Sequence, residues 1–101
     1  MTYASAAFAA LADRTRREIV ERLSAGPSAV GDLAAVLPIS RPAVSQHLKL
    51  LKESGLVMET RIGTRHYFAI APEGIGELRA YLDGLWSDAL AAFARHVEDK
   101  R

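Results

Sequence analysis

The sequence predicts a mainly α-helical domain with one small β-hairpin. Two observations indicate this class. Apolar residues recur at helical spacing in the first half of the chain and again in its last 30 residues. Between these parts, from Val57 to Ile70, the apolar period shortens toward two, as it does in a pair of strands. A chain of 101 residues, half of them hydrophobic and a quarter charged, suits one soluble globular domain over residues 1–101.

Three short helices are predicted before residue 40. The segment Tyr3–Leu11 is rich in alanine and favours a helix. The Asp13 carboxylate suits the N-cap of a second helix, which should end at Gly26. Apolar residues then repeat at helical spacing over 30–37. Pro38 ends this third helix, because the residue before a proline disfavours helical backbone.

A fourth helix is predicted from Ser40 to Ser54. The Ser40 hydroxyl suits the N-cap, and Pro42 falls in the first turn, where its missing N–H matters little. Gly55 supplies the left-handed residue that commonly ends a helix, and Leu56 can pack back on the last turn.

The rest of the chain predicts a hairpin followed by a long last helix. Gly63 lies between the two strand runs at the expected turn. Helical spacing returns after Pro72 in an apolar stripe formed by Ile75, Leu78, Leu82, Leu85, Trp86, Ala89 and Phe93. The predicted order is therefore four helices, two strands and a fifth helix.

The third and fourth predicted helices form a helix-turn-helix candidate, because only residues 38–40 separate them. At about 100° per residue, Val44, Leu48 and Leu51 converge on one side of the fourth helix. The other side and the helix start present the polar set Ser40, Arg41, Pro42, Ser45, Gln46 and Lys49. This division is typical of a helix that reads DNA, although a solvated helix face has the same pattern.

Specific members of that polar set suit specific parts of a duplex. Gln46 can offer a bidentate amide to adenine in the major groove, and Lys49 can reach guanine or a phosphate. The small Ser45 lets the helix approach closely. Arg41, at the helix start, favours phosphate.

The predicted hairpin carries a basic tip formed by Arg61, Thr64 and Arg65. Such a tip can lie along the DNA backbone or enter a narrow minor groove, as the wing of a winged helix does. A basic turn alone is more often a solubility feature. A polar helix and a basic hairpin tip adjacent in the sequence together favour DNA binding.

The charge distribution agrees with this interpretation. The formal net charge is only +1, but residues 41–66 hold five basic and two acidic side chains, a local charge of +3. Residues 72–101 hold four basic and six acidic side chains, a local charge of −2. A polyanion is therefore attracted to the middle of the chain and weakly repelled by its last part.

The sequence gives little support for a disulfide-bonded, membrane-spanning, secreted or enzymatic protein. The chain has no cysteine, which excludes disulfides and thiolate metal sites and fits a reducing compartment. The longest uncharged stretch, Met1–Ala12, is too short to span a bilayer and lacks the basic start of a signal peptide, so we expect a cytoplasmic protein. No nucleophile motif, glycine-rich phosphate loop or paired carboxylates indicate an enzyme, and no cofactor is expected.

The segments ALADRTRREIV and ISRPAVSQHLKLLKESGLV resemble the ArsR family of winged helix-turn-helix repressors, and the likeness extends over nearly the whole chain. One departure is Arg14, where many members carry proline after the capping aspartate. The resemblance implies a winged helix-turn-helix fold, dimerisation through the first and last helices, and repression by occupancy of an operator.

The resemblance also bears on what the protein senses. Metal-sensing relatives place cysteines on the third helix, where this chain reads VGDLAAVL. A second family site uses aspartate, histidine and glutamate on the last helix, for which Asp88, His96, Glu98 and Asp99 are the only material. We expect no metal site, and His47 and His66 have no convincing partner set. The likeness is to the cysteine-free branch, whose members often repress their own genes or answer to another protein.

A homodimer is expected on physical grounds as well, because so small a domain leaves apolar surface for a partner. The expected interface consists of Phe8, Leu11, Leu78, Leu82, Leu85, Trp86, Ala89 and Phe93. These residues would otherwise be ordinary core. Two copies related by a two-fold axis would read an inverted repeat in double-stranded DNA. The alternatives are a winged-helix module that binds another protein, or a metal-responsive repressor that uses the last helix.

Overall fold

The computed structural model of the protein describes residues 3–100, with side chains from Ala4 onward. The elements are α1 (Tyr3–Leu11), α2 (Arg14–Leu23), α3 (Val30–Val36), α4 (Arg41–Glu53), β1 (Val57–Ile62), β2 (Arg65–Ile70) and α5 (Pro72–Asp99). The predicted fold class and element order are confirmed.

The junction between α1 and α2 is fixed by side chains that cap both helix ends. The Asp13 carboxylate accepts a hydrogen bond of 2.9 Å from the Arg16 backbone N–H, which caps the start of α2 as expected. Arg16 Nε donates to the Ala10 carbonyl at 2.7 Å, and Arg17 Nη1 donates to the Leu11 carbonyl at 2.9 Å. These bonds satisfy carbonyls that the end of α1 leaves without helical partners.

The end of α4 has the geometry that its sequence predicts. Gly55 has a φ of +82°, in the left-handed region that suits glycine. Its N–H donates to the Lys52 carbonyl at 3.0 Å, and the Leu56 N–H donates to the Leu51 carbonyl at 3.1 Å. This pair of bonds is the Schellman motif, and it turns the fully buried Leu56 back onto the helix.

The core lies where α2, α3 and α4 meet under α1 and the start of the hairpin. Its fully buried side chains are Ile19, Leu23, Leu33, Val44, Leu48, Leu51 and Leu56. Burial stabilises each such side chain by about 1.5–3 kcal/mol relative to exposure. This core fixes α4 with Val44, Leu48 and Leu51 inward.

The hairpin is held to the helical part by backbone bonds. Its strands pair antiparallel from Val57 opposite Ile70 to Ile62 opposite Arg65, which leaves a two-residue loop. Gly63 opens that loop with a φ of +64°, as tight hairpins require at this position. Ser28 and Phe68 exchange two backbone hydrogen bonds, of 2.9 and 2.8 Å, so the segment before α3 is joined to β2 by an isolated β-bridge.

The last helix extends beyond the rest of the domain, and most of its length is exposed. Within α5, only Gly74, Ile75 and Leu78 are partly buried, and residues 79–100 are exposed. The radius of gyration is therefore 17.6 Å, whereas a compact chain of this size has about 13 Å. Across residues 3–100, no helix combines the length and the apolar character that a bilayer crossing requires.

The start of α5 packs unusually closely on the turn after α4. A Cβ atom placed on Gly74 would lie 1.8 Å from the Gly55 carbonyl oxygen, far inside van der Waals contact. The Ala71 N–H also donates to the Leu56 carbonyl at 2.9 Å. Gly74 therefore sets the direction in which α5 leaves the domain.

Candidate nucleic-acid interface

Helix α4 presents one face to the core and the opposite face to solvent. Ser40 Oγ accepts the Ala43 backbone N–H at 3.3 Å, and Pro42 occupies the first turn, as expected. Val44, Leu48 and Leu51 are fully buried, which fixes the rotation of the helix about its axis. All six residues predicted to bind DNA from this helix are exposed: Ser40, Arg41, Pro42, Ser45, Gln46 and Lys49.

Four of these exposed residues lie together. Pro42, Ser45, Gln46 and Lys49 line a shallow groove of about 340 Å³ along the outer face of α4. The amide of Gln46, the ammonium of Lys49 and the hydroxyl of Ser45 are the hydrogen-bonding groups that line it. The exposed face of an α-helix fits into the major groove of DNA, and the polar side chains on this face can hydrogen-bond to the edges of the bases.

The hairpin tip places Arg61, Thr64 and Arg65 in solvent, as expected for a wing. The Arg61 guanidinium is hydrogen-bonded to Nε2 of His66, which faces it across the ladder. At the base of the wing, Lys52 Nζ lies 3.0 Å from Glu59 Oε1 and connects α4 to β1. The basic side chains of the wing tip, Arg61 and Arg65, are thus both exposed to solvent.

The structure joins two parts of the predicted site that are separate in the sequence. A cavity of about 320 Å³ between the wing and the start of α3 is lined by Arg41, Arg65 and His66, together with Asp32 and the backbone around Gly31. We call this cavity the wing notch. Arg41 and Arg65 were predicted on different elements, and His66 was predicted to have no role. His66 was missed because its position opposite Arg61 depends on the register of the hairpin.

His47 lies at the inner edge of α4, as expected. Its Nδ1 atom is buried and has no hydrogen-bond partner within the described part of the chain, and the nearest carboxylate oxygen, Asp13 Oδ2, is 3.9 Å away. The pKa of Asp13 is lowered, chiefly because its carboxylate accepts the Arg16 backbone N–H, with smaller contributions from nearby positive charge. This contact places the start of α2 against α4.

The residues expected at a dimer interface fall into two groups. Leu11 and Leu78 pack against the chain's own core. The others are exposed: Phe8, Leu82, Leu85, Trp86, Ala89 and Phe93. Trp86 and Phe93 are about two-thirds exposed, at 66% and 65%.

Three more apolar side chains extend this exposed face, namely Tyr81, Leu90 and Val97. Tyr81 makes an edge-to-face ring contact with Phe8 of α1, with centroids 5.6 Å apart. None of these three residues was predicted for the interface, although Leu90 and Val97 lie within about 90° of the predicted stripe on a helical projection.

The comparisons with known proteins decide the family. The family model described as "Bacterial regulatory protein, arsR family" matches residues 13–59, from the N-cap of α2 to the middle of β1. The HTH-type transcriptional regulator Rv2034 of Mycobacterium tuberculosis is 52% identical over 94 residues, which cover 93% of this chain and 88% of the relative. The chain belongs to the ArsR family. The transcriptional repressor SdpR of Bacillus subtilis is a more distant relative, 36% identical over 62% of this chain and 70% of its own length.

Solved ArsR-like structures have the same fold. An ArsR-like transcriptional regulator from Rhodococcus sp. RHA1 superposes with a TM-score of 0.79 at 30% identity, covering 92% of this chain and 91% of that one. The homodimeric winged helix-turn-helix DNA-binding domain of Mb0332 from Mycobacterium bovis gives 0.68 at 31% identity, covering 85% and 80%. The winged helix-turn-helix assignment is confirmed.

Membership in the ArsR family also fixes the broad activity. The family consists of transcriptional regulators, so the expectation that this chain is not an enzyme is confirmed. Within residues 3–100, no three histidine, aspartate or glutamate side chains are grouped closely enough to hold a metal ion.

Proposed function

We propose that the chain is a repressor that binds an inverted-repeat operator in double-stranded DNA as a homodimer and occupies it against transcription. The observation that carries this proposal is the exposed polar face of α4 beside a basic wing. Gln46 and Lys49 share one open groove, and Arg65 lies on the adjacent hairpin. Repression is supported by a relative that is itself described as a transcriptional repressor.

In this proposal, base reading and backbone binding fall to different residues. Gln46 and Lys49 enter the major groove, where an amide pairs with adenine and an ammonium with guanine. Ser40, Arg41, Arg61, Thr64 and Arg65 contact the backbone or the neighbouring minor groove. The side chains of Pro42 and Ser45 are short, so they allow α4 to approach the DNA closely. The local charge of +3 over residues 41–66 favours this contact.

The dimer is supported by the uncovered apolar face of α5. Leu85, Trp86 and Phe93 are each at least half exposed, and they lie on a helix that extends beyond the domain. Contiguous exposed apolar surface of this kind marks an interaction site. The M. bovis domain with the same fold is homodimeric. A second copy related by a two-fold axis would place two α4 helices about 34 Å apart, on successive major grooves.

We propose further that the signal is not a metal. The cysteine-free α3 offers no thiolate ligand, and the carboxylates and His96 of α5 form no close group with three members in the part of the chain that the structure describes. The signal would then be another protein or a small effector.

The experiment that tests the DNA-binding proposal is selection of duplexes from a random library, followed by binding measurements on the selected and on unrelated sequences. Gln46→Ala should reduce the preference for the selected sequence by about 1–3 kcal/mol, because it loses a bidentate base contact. Arg65→Ala should weaken binding to all sequences alike and lower the slope of log K against log salt by about one unit.

The two variants serve as controls for each other, since one changes specificity and the other changes general affinity. If Gln46→Ala kept the full sequence preference, its base-reading role would be wrong. If the wild-type chain bound no duplex even at low salt but captured a protein in a salt-insensitive manner, the interaction-module alternative would replace the proposal.

A further inference from the structure

His66 is the one wing residue between two cavities lined by charged groups. On one side it lines the wing notch with Arg41 and Arg65. On the other side it lines a second cavity, of about 210 Å³, with Glu59, Thr60 and Arg61. Its side chain is exposed and lies on the surface that the proposed function turns toward DNA. The proposed function so far gives it no task.

The bond between Arg61 and His66 assigns the acceptor role to one nitrogen of the imidazole. A guanidinium has donors only, so the Nε2 atom of His66 must accept the hydrogen bond from Arg61. The imidazole is therefore neutral in this arrangement, with its hydrogen assigned to Nδ1. An imidazolium has donors on both nitrogens, so protonation of His66 breaks this bond and releases Arg61.

The charged groups around His66 come from every neighbouring element. Arg61 and Glu59 belong to β1, Arg65 to β2, Arg41 to α4 and Asp32 to α3. Glu59 is paired with Lys52 of α4, with 3.0 Å between Nζ and Oε1. Apart from that pair, three guanidinium groups and one carboxylate surround the imidazole. The surroundings of the imidazole in the free protein are thus positive on balance.

The Arg41 guanidinium lies close to Gly31 in the wing notch. Its guanidinium atoms lie 3.5–3.8 Å from the position that a Gly31 Cβ would take. The Arg41 side chain therefore lies over the first turn of α3 and faces the wing, although its backbone belongs to α4. The guanidinium groups of Arg41 and Arg65 thus line the same cavity from two separate elements.

We propose that the wing notch binds one phosphate of the DNA backbone between Arg41, Arg65 and a protonated His66, so that DNA binding takes up one proton from solvent. A phosphate supplies the negative charge that the notch lacks, and it stabilises the imidazolium against its cationic neighbours. The released Arg61 becomes free for an adjacent phosphate. This inference rests on the proposed DNA-binding function and assigns a proton-linked contact within it.

The linkage has a defined sign. Because the bound state holds one proton more than the free state, affinity rises as pH falls through the range in which histidine titrates. The largest possible slope for one proton is about tenfold in Kd per pH unit. We expect wild-type affinity to rise about fivefold to tenfold between pH 8 and pH 6 at constant ionic strength.

The test uses the full chain and a 30-base-pair duplex of mixed sequence, since a phosphate contact needs no particular bases. Binding is measured by fluorescence anisotropy from pH 5.5 to pH 8.5 for four proteins: the wild type, His66→Gln, His66→Lys and His96→Gln. His66→Gln should lose the pH-dependent gain. His66→Lys carries a fixed charge and should bind at pH 8 nearly as tightly as the wild type does at pH 6. His96→Gln, a control on α5, should keep the wild-type slope.

A second measurement reads the proton directly. The His66 imidazole resonances should show a larger protonated fraction at pH 7 after the duplex is added, whereas those of His96 should change little. A pH slope that survives in His66→Gln, or a wild-type slope of zero, would overturn the inference and leave DNA binding intact. Loss of all duplex binding at low salt in the wild type would overturn both the inference and the proposed function.

Discussion

The compact part of the molecule, residues 4–78, and the projecting part of α5, residues 79–100, differ in the burial of their large apolar side chains. In the first part Leu48, Leu51 and Leu56 are fully buried among helices of the same chain. In the second part Leu85, Trp86 and Phe93 are between half and two-thirds exposed. In the proposed function, the first part holds α4 toward DNA and the second part meets a partner copy. Base reading and assembly would then be divided between two regions of one short chain.

The largest difference between the regions should appear on truncating a leucine in each. Leu48→Ala removes a fully buried side chain and should lower the free energy of unfolding by about 2–5 kcal/mol. Leu90→Ala removes one that is 49% exposed and should lower it by less than about 1 kcal/mol at protein concentrations where the chain is monomeric.

Urea titration of both variants checks this comparison. At concentrations where the chain associates, Leu90→Ala should become more costly, because the partner then covers the face. Equal losses for the two variants in the dilute monomer would contradict the division into a buried part and an uncovered part.

The junction between the two regions can be tested with a pair of glycines on α5. Gly74→Ala brings a Cβ to 1.8 Å from the Gly55 carbonyl oxygen, so α5 must shift, and we expect a loss of about 1–3 kcal/mol. Gly76→Ala is the matched control. It meets no atom within 4 Å and should gain about 0.5–1 kcal/mol from its better helix propensity.

Thermal unfolding of both glycine variants gives the sign of each effect. If Gly74→Ala were as stable as Gly76→Ala, the close approach of α5 to the turn after α4 would not exist. The direction of the projecting helix would then need another cause.

A smaller effect is expected at the Asp13 cap of α2, within the compact region. The pKa of Asp13 is lowered in the folded chain, so its contribution to stability is present above its ordinary value of 3.8 and is lost as pH falls through the lower folded value. Asp13→Asn keeps a capping oxygen and removes the titration. The wild type should lose stability relative to Asp13→Asn as pH falls below about 4.

Urea titrations at pH 6, 4 and 3 measure this difference. The wild type should approach the variant in stability at the lowest pH. A constant difference over the whole range would show that the Asp13 carboxylate makes no charge-dependent contribution.

Residue types with strong local preferences made most of the fold predictable. Asp13, Ser40 and Gly55 mark helix ends through their own backbone chemistry, and the structure places all three as expected. The separation of Val44 and Leu48 from Gln46 and Lys49 follows from helical periodicity alone. These signals lie within a few residues of the feature that they specify.

Features that depend on contacts across the chain escaped the sequence analysis. The position of His66 beside Arg61 requires the hairpin register, and the approach of Arg41 to the wing requires the packing of α3 on α4. The sequence does not distinguish Gly74 from other helical glycines, because its requirement comes from the Gly55 carbonyl, which is distant in the sequence. The division of the apolar stripe between Leu78 in the core and Leu85 in solvent likewise depends on where the domain ends.

The most direct test of the account is sedimentation equilibrium of the wild type, Leu85→Glu and Ser87→Glu at the same micromolar concentrations. The uncovered face of α5 should make the wild type and Ser87→Glu, whose change lies on the opposite side of the helix, sediment at twice the chain mass of 11.0 kDa. Leu85→Glu should sediment near 11.0 kDa, because a charge then enters the interface. A monomeric wild type, or a Leu85→Glu variant that dimerises as the wild type does, would contradict it.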